Sequence, residues 1–214
     1  MISPRFSLVF VAAFLSMFLA SALAQEAIKL PAPKTDGGMP LMQALKERKS
    51  SREFSSRKLS METLSNLLWA AWGINRPDGH RTAPSARNMQ EIDVYVATGD
   101  GLFLYEPKQH QLLKILSEDI RAATGTQDYV KEAAVNLIYV ADPARGNLKG
   151  ADAIEFYTGA DTAFLAQNVY LFCASEKLAV VVRGSVDRAA LAKIMKLRQD
   201  QKITLAQSVG YPKN

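Results

Sequence analysis

The chain has 214 residues, with 26 Lys and Arg against 21 Asp and Glu, and a formal net charge of +5 at pH 7. That excess is modest and scattered, not set in a stripe with aromatics between, so a nucleic-acid partner is not expected. One cysteine excludes an internal disulfide, and with two histidines in the chain no Cys/His/Asp cluster has zinc spacing, so no metal is expected.

Residues 1–24 read as a secretory signal peptide. Arg5 supplies a positive n-region, Ser7 to Ala20 (SLVFVAAFLSMFLA) an apolar core, and Ala22-Leu23-Ala24 a small-x-small cleavage site. An uncleaved anchor is the alternative. One arginine ahead of the apolar run means no twin-arginine signal, so export in an unfolded state is expected. The expected location is periplasmic or secreted, with no membrane attachment after cleavage. Removing 24 residues from 214 leaves 190, enough for one domain with a sizeable core. Residues 25–39 should form a leading arm, and residues 40–214 the domain.

A first helix is predicted over 40–49, with Pro40 at its start, where a missing N–H costs nothing. The segment Glu47 to Phe54, ERKSSREF, follows. It sets Arg48, Lys49 and Arg52 around the hydroxyls of Ser50 and Ser51, a composition that suits an anion cradle: guanidinium forks bind phosphate bidentately and Lys adds a point charge. The other reading is a solvated charged loop. Ser60 is placed to cap a second helix, whose apolar stripe Leu64, Leu67, Leu68, Ala71 and Trp72 has helical spacing, with Gly73 at its end.

Asn75 to Gln90 reads as a long polar loop, a length usually functional or disordered. Alternation at Ile92, Val94 and Val96, a turn at 99–101, LFLYE at 102–106, a turn at 106–110 and QLLKIL at 111–116 predict an antiparallel meander. Ser117 to Thr124 and Gln127 to Ala133 read as short helices. VNLIYV at 135–140 is a fully apolar, central strand. A long helix from Ala151 to Lys177 carries Phe164, Leu165, Val169, Leu171 and Phe172 on more than one face and should be a buried spine. Cys173 on it reads as a core thiol. A strand at 178–184, a helix from Asp187 to Leu197 and a strand from Ile203 to Val209 complete an α+β, mainly antiparallel, fold. Local sequence suggests no Ser-His pairing.

Four segments in this order, RKSSREF at 48–54, APSARNMQ at 83–90, AQNVYLFCASEKLAVVVRGSVD at 166–187 and QSVGYPK at 207–213, resemble the FMN-dependent nitroreductase family. GDGLFLYEPKQHQL at 99–112 resembles its peptide-azoline oxidase (SagB/ThcOx-type) branch. The resemblance implies a nitroreductase-like fold, an antiparallel sheet flanked by helices, in an intertwined homodimer with FMN at the interface. It places Arg48 and Ser50 at the phosphate with Lys49 beside them, and Arg52 at the pyrimidine edge of the ring. Pro84, Ser85, Ala86 and Asn88 match a loop laid over the partner's ring. Gln127 matches an amide contact. Arg183 and Gly184 match a turn whose backbone N–H groups approach N5. Lys213 stands where the family often has a late basic pair. Arg87-Asn88-Met89-Gln90 replaces the branch's Gly- and Tyr-containing stretch, which leaves the substrate open.

The function these readings imply is an exported FMN-dependent oxidoreductase. It would exchange hydride or electrons with a small conjugated molecule such as a nitroaromatic or quinone. The alternatives are oxidation of an azoline-type modified peptide, a non-catalytic flavin-binding protein, and a basic module that binds phosphate without flavin. Outside the cytoplasm, a redox partner protein, a quinol or the reduced substrate would replace a diffusing nicotinamide as donor.

Overall fold

The computed structural model describes residues 26–146 and 148–213; the predicted signal peptide, 1–24, lies outside them. Seven strands, β1 (Ala27–Lys29), β2 (Ile92–Thr98), β3 (Gly101–Glu106), β4 (Gln111–Leu116), β5 (Val135–Ala141), β6 (Ala179–Arg183) and β7 (Lys202–Gly210), form one sheet. Its order is β1-β4-β3-β2-β5-β7-β6, and every neighbouring pair is antiparallel. The meander is β2-β3-β4. β5 is buried at all seven positions, as its unbroken apolar run requires when both faces are covered. β7 lies between β5 and β6 of its own chain.

Helices α1 (Leu41–Glu47), α2 (Met61–Trp72), α3 (Pro143–Gly146), α4 (Ala151–Ser175) and α5 (Arg188–Met195) flank the sheet. In α2 the Ser60 hydroxyl accepts from Thr63 N–H, and Leu64, Leu67, Leu68, Ala71 and Trp72 are buried. α5 begins where Asp187 accepts from Ala190 N–H and ends at Lys196 in the left-handed region. Two predicted helices shrink to 3-10 turns, Arg121–Thr124 and Asp128–Lys131. Both segments are short, and helix nucleation is costly without a long apolar face.

The spine helix is buried on one side only. Thr158, Asp161, Thr162, Leu165, Ala166, Val169, Tyr170 and Cys173 face the core, whereas Phe156 is 69% exposed and Phe164 47%. A helix apolar on two faces lays only one against its own sheet. Burial pushes the Cys173 thiol up, which fits an inert core group.

The leading arm is more than a tether. β1 pairs with β4, with Ile28 opposite Leu112, and Leu30 is buried in the core. Three residues carry too little alternation for a strand to be legible, so pairing is decided by the open edge of β4. The arm is pinned by a relay across distant residues. The Ser65 hydroxyl donates to the Pro31 carbonyl at 2.6 Å and sits 2.6 Å from His110 Nε2, whose Nδ1 lies 2.9 Å from the Tyr105 hydroxyl. A Ser-His pairing therefore exists, contrary to expectation. Ser65 is fully buried, so the pairing is structural.

Burial lowers the His110 pKa from its ordinary value. A neutral imidazole favoured by the fold stabilises above the unfolded His pKa, about 6.5, and that contribution is lost as pH falls through the folded value. Amide exchange at Leu30 and Lys114, corrected for intrinsic rates, should therefore rise on acidification below about pH 6.5. A flat profile would remove His110 from the clasp.

Candidate functional site

α1 ends with the Arg48 amide bonded to the Ala44 carbonyl at 2.9 Å, and the Ser51 amide then donates to Val180 O of β6 at 2.8 Å. These two bonds hold the basic turn against the sheet edge. Tyr170 of α4 completes the support. Its hydroxyl accepts from Val182 N–H at 3.0 Å and lies 2.8 Å from Ser50 Oγ. With the Tyr170 proton given to Ser50, Ser50 keeps its own for an outside acceptor. The Arg48 guanidinium stands 5.2 Å from the centre of the Tyr170 ring, a cation–π distance. Tyr170 lies 120 residues from Ser50, so only the tertiary fold reveals its part.

The chain's end comes to the same place. Ser55 N–H donates to Tyr211 O at 2.9 Å and Lys213 N–H to Glu53 O at 3.4 Å, with Phe54 and Pro212 bridged between them. The result is a cavity of about 650 Å³ lined by Lys46, Arg48, Lys49, Ser51, Lys177 and Lys213, with Glu47 and Glu53 as its acids. Five cations against two carboxylates make it an anion site. Ser51, not Ser50, lines it, and Arg52 stands exposed outside it.

A second group gathers beyond β6. Gly184 is exposed and follows Arg183 directly. Thr126 N–H donates to Ser185 O at 3.3 Å, and the Thr126 and Ser185 hydroxyls lie 2.9 Å apart, so the segment leading to Gln127 lies along this turn. Gln127 Oε1 is buried with no donor among the described residues, an acceptor that suits a ligand N–H. A Cβ on Gly184 would meet only Leu205 Cδ2, at 3.9 Å. Neither its conformation nor its neighbours require glycine there; the missing side chain leaves open space.

The Arg183 side chain turns away from this face. It is 4% exposed, and its guanidinium donates to Thr124 O at 2.8 Å, Asn136 Oδ1 at 3.1 Å and Ser208 Oγ at 3.2 Å. Arg183 thus contributes its backbone to the turn, while its side chain braces β5, β6 and β7. Gly125, which the sequence did not single out, makes room for it: a Cβ there would fall 1.9 Å from Arg183 Nη1.

Pro84, Ser85, Ala86 and Asn88 form a third group. Ala86 N–H donates to Asp161 Oδ2 at 2.9 Å, and the Ser85 hydroxyl accepts from Gln90 N–H at 3.0 Å. Asp161 precedes Tyr170 by nine residues on α4, about 14 Å along a helix. A single chain therefore keeps this loop apart from the Arg48 cradle.

These residues fit FMN. The anion cavity suits a terminal phosphate, the orphaned Gln127 oxygen a ring N–H, and the open space at Gly184 the close approach of a flat ring. A GxGxxG pyrophosphate loop is absent from the sequence.

A family model described as the nitroreductase family matches residues 45–211. A provisionally named nitroreductase of Methanocaldococcus jannaschii is 30% identical over 169 residues, 74% of this chain and 85% of its own. The structure of a provisionally named nitroreductase from Ralstonia eutropha JMP134 is similar at a TM-score of 0.84 and 42% identity, covering 88% of this chain and 90% of its own. Another, from Desulfovibrio desulfuricans and solved in complex with FMN, has a TM-score of 0.60 at 22% identity, over 83% of this chain and 89% of its own.

Proposed function

The chain belongs to the nitroreductase family, and we propose that it is an FMN-dependent oxidoreductase that works as a homodimer on a small conjugated substrate such as a nitroaromatic or a quinone. The observation that carries this reading is the convergence of Arg48 and Lys49 with Lys213, from opposite ends of the domain, on one anion cavity. Bound FMN supplies hydride and electron transfer. The chain supplies the rest. Arg48, Lys49 and Lys213 hold the phosphate, with Ser51 in the same lining. Gln127 orients the ring edge. The backbone at Arg183 and Gly184 faces the reacting nitrogen. Arg52 provides positive charge for the reduced ring.

Two features support the homodimer. The loop at 84–88 and the cradle lie apart on α4 within one chain, so a second copy would bring the loop to the cofactor. Apolar side chains also remain exposed on α1 and α4, with Leu41 at 62%, Met42 at 76% and Phe156 at 69%, the kind of surface that marks an interaction face. The signal-like residues 1–24 support a place outside the cytoplasm, with a redox protein, a quinol or the reduced substrate as electron donor. Purified protein should be yellow and release FMN, identified by mass, in a particle that sediments as a dimer. Tightly bound FAD with FMN excluded would overturn the cofactor, and a folded, FMN-loaded monomer would overturn the dimer.

A further inference from the structure

Glu91 ends the 83–90 loop and leads into β2. It is fully buried, yet beyond its own backbone N–H neither carboxyl oxygen finds a donor among the described residues. What faces it is another acid. The carboxyl of Asp161, 2% exposed on α4, lies within hydrogen-bonding reach. Two carboxylates so placed cannot both hold their charge, and one proton between them turns repulsion into a hydrogen bond.

The nearby cations relieve the pair only in part, Arg145 acting on Glu91 against the stronger effect of burial. Arg145 donates to the Glu91 backbone carbonyl at 3.2 Å, but its charge is directed to Asp93 at 2.7 Å and Asp142 at 3.7 Å. Arg198 pairs with Asp142 at 2.9 Å and with Asp200 at 3.2 Å. The Asp142 N–H donates to the Glu91 carbonyl at 2.8 Å.

Asp161 has a second task, since its Oδ2 accepts the Ala86 N–H at 2.9 Å. The loop it anchors is strained. Arg87, Asn88 and Gln90 all lie near φ +50°, a region L side chains seldom adopt and keep only when surroundings impose it. Further ties come from Gln90, whose side chain bonds Gly79 O, Asn88 Oδ1 and Arg81 Nε and whose amide bonds Ser85 Oγ, and from the Asn88 and Met89 amides on Ser85 O and Ala86 O.

We propose that Glu91 and Asp161 share one proton and act as a positioning pair, in which protonated Glu91 holds the Asp161 carboxylate against the Ala86 N–H and keeps the Ser85–Gln90 loop in its strained, flavin-covering form, and that loss of the proton releases the loop. The covering role rests on the function proposed above; the clasp itself does not. Burial first, and Asp161 next, raise the Glu91 pKa to about 7. A raised folded pKa gives stability that is fully present below the unfolded carboxyl value and lost as pH rises through the folded one. The loop is therefore clasped on the acid side of neutrality and released on the alkaline side.

The test is amide exchange of residues 85–91 in the cofactor-free full chain across pH 5.5–8.5, corrected for intrinsic rates, alongside FMN affinity over the same range. Wild type should show a step of about tenfold or more in exchange near pH 7, the loss expected when a pK-shifted pair ionises. Glu91→Gln keeps a donor to Asp161 without a titrating proton, so it should hold the loop clasped with no step. Asp161→Asn offers Glu91 an amide donor and keeps an acceptor for Ala86, and should also remove the step, so either variant that folds decides. A flat wild-type profile, or the same step in a folded variant, overturns the pair whatever the flavin does. A step in exchange with no FMN binding at any pH supports the pair and overturns the flavin reading instead.

Discussion

Arg48→Ala lowers the affinity for FMN by about ten- to a hundredfold, the equivalent of one charge-assisted hydrogen bond of about 1.5–3 kcal/mol. Lys49→Ala has a smaller effect. The difference follows from how each cation is held. Arg48 is half-buried at the lip of the cavity, with its guanidinium over the Tyr170 ring. Little side-chain entropy remains to be lost when it grips a phosphate, and its fork makes two parallel bonds. Lys49 is exposed on the same turn, so its charge is screened by solvent and its chain must be ordered on binding. Fluorescence titration of apo protein separates the two variants. Equal affinity of wild type and Arg48→Ala would show that the cavity is not the phosphate site. Tyr170→Phe is a useful companion, because it keeps the ring under Arg48 and removes the tie to Ser50. A smaller loss than Arg48→Ala is expected from it.

Local signals carried much of the fold. The Leu64-to-Trp72 stripe gave α2 with its cap and stop, and the unbroken apolar run at 135–140 gave an interior strand. What was not legible was decided by partners far along the chain. β1 exists because β4 has an open edge. Phe164 was placed in the core because periodicity counts apolar faces and cannot say which one the sheet will cover. The site shows the same division. Arg48 and Lys49 could be named from the basic, hydroxyl-rich composition of their turn, and Lys213 only from the family resemblance. Tyr170, Gly125, Glu91 and Asp161 could not, since a tyrosine on an apolar helix, a glycine in a turn or an acid before a strand has no local signature. Their roles come from meeting a group 58 to 120 residues away, as Gly125 meets Arg183 and Tyr170 meets Ser50. Arg183 marks the boundary most clearly: the strand it ends was legible, while the inward course of its side chain was not.

The second large effect contrasts two glycines on neighbouring segments, Gly125 after the Arg121–Thr124 turn and Gly184 after β6, and the signs are opposite. Gly125→Ala should destabilise the protein by about 2–4 kcal/mol, as when a buried charged group loses its partners. The backbone is not the reason, because Gly125 has φ −179°, extended and open to any residue. The reason is the 1.9 Å approach of a new Cβ to Arg183 Nη1. That guanidinium is 4% exposed and bonded to Thr124, Asn136 and Ser208. Its partners among the described residues are neutral oxygens, so displacing it strands a buried cation inside the sheet. Gly184→Ala should instead stabilise the cofactor-free fold by about 0.4–1 kcal/mol, because the new methyl meets nothing closer than 3.9 Å and the unfolded chain loses freedom. Its cost falls on the ligand. If the ring of FMN lies against this turn, the methyl occupies its space and affinity drops by about tenfold or more, some 1.4 kcal/mol. Urea unfolding of the apo variants reads the first difference, and FMN titration the second. If Gly184→Ala bound FMN as wild type does, the ring would have to lie elsewhere. If Gly125→Ala unfolded at the wild-type midpoint, Arg183 would not be the brace that its hydrogen bonds describe.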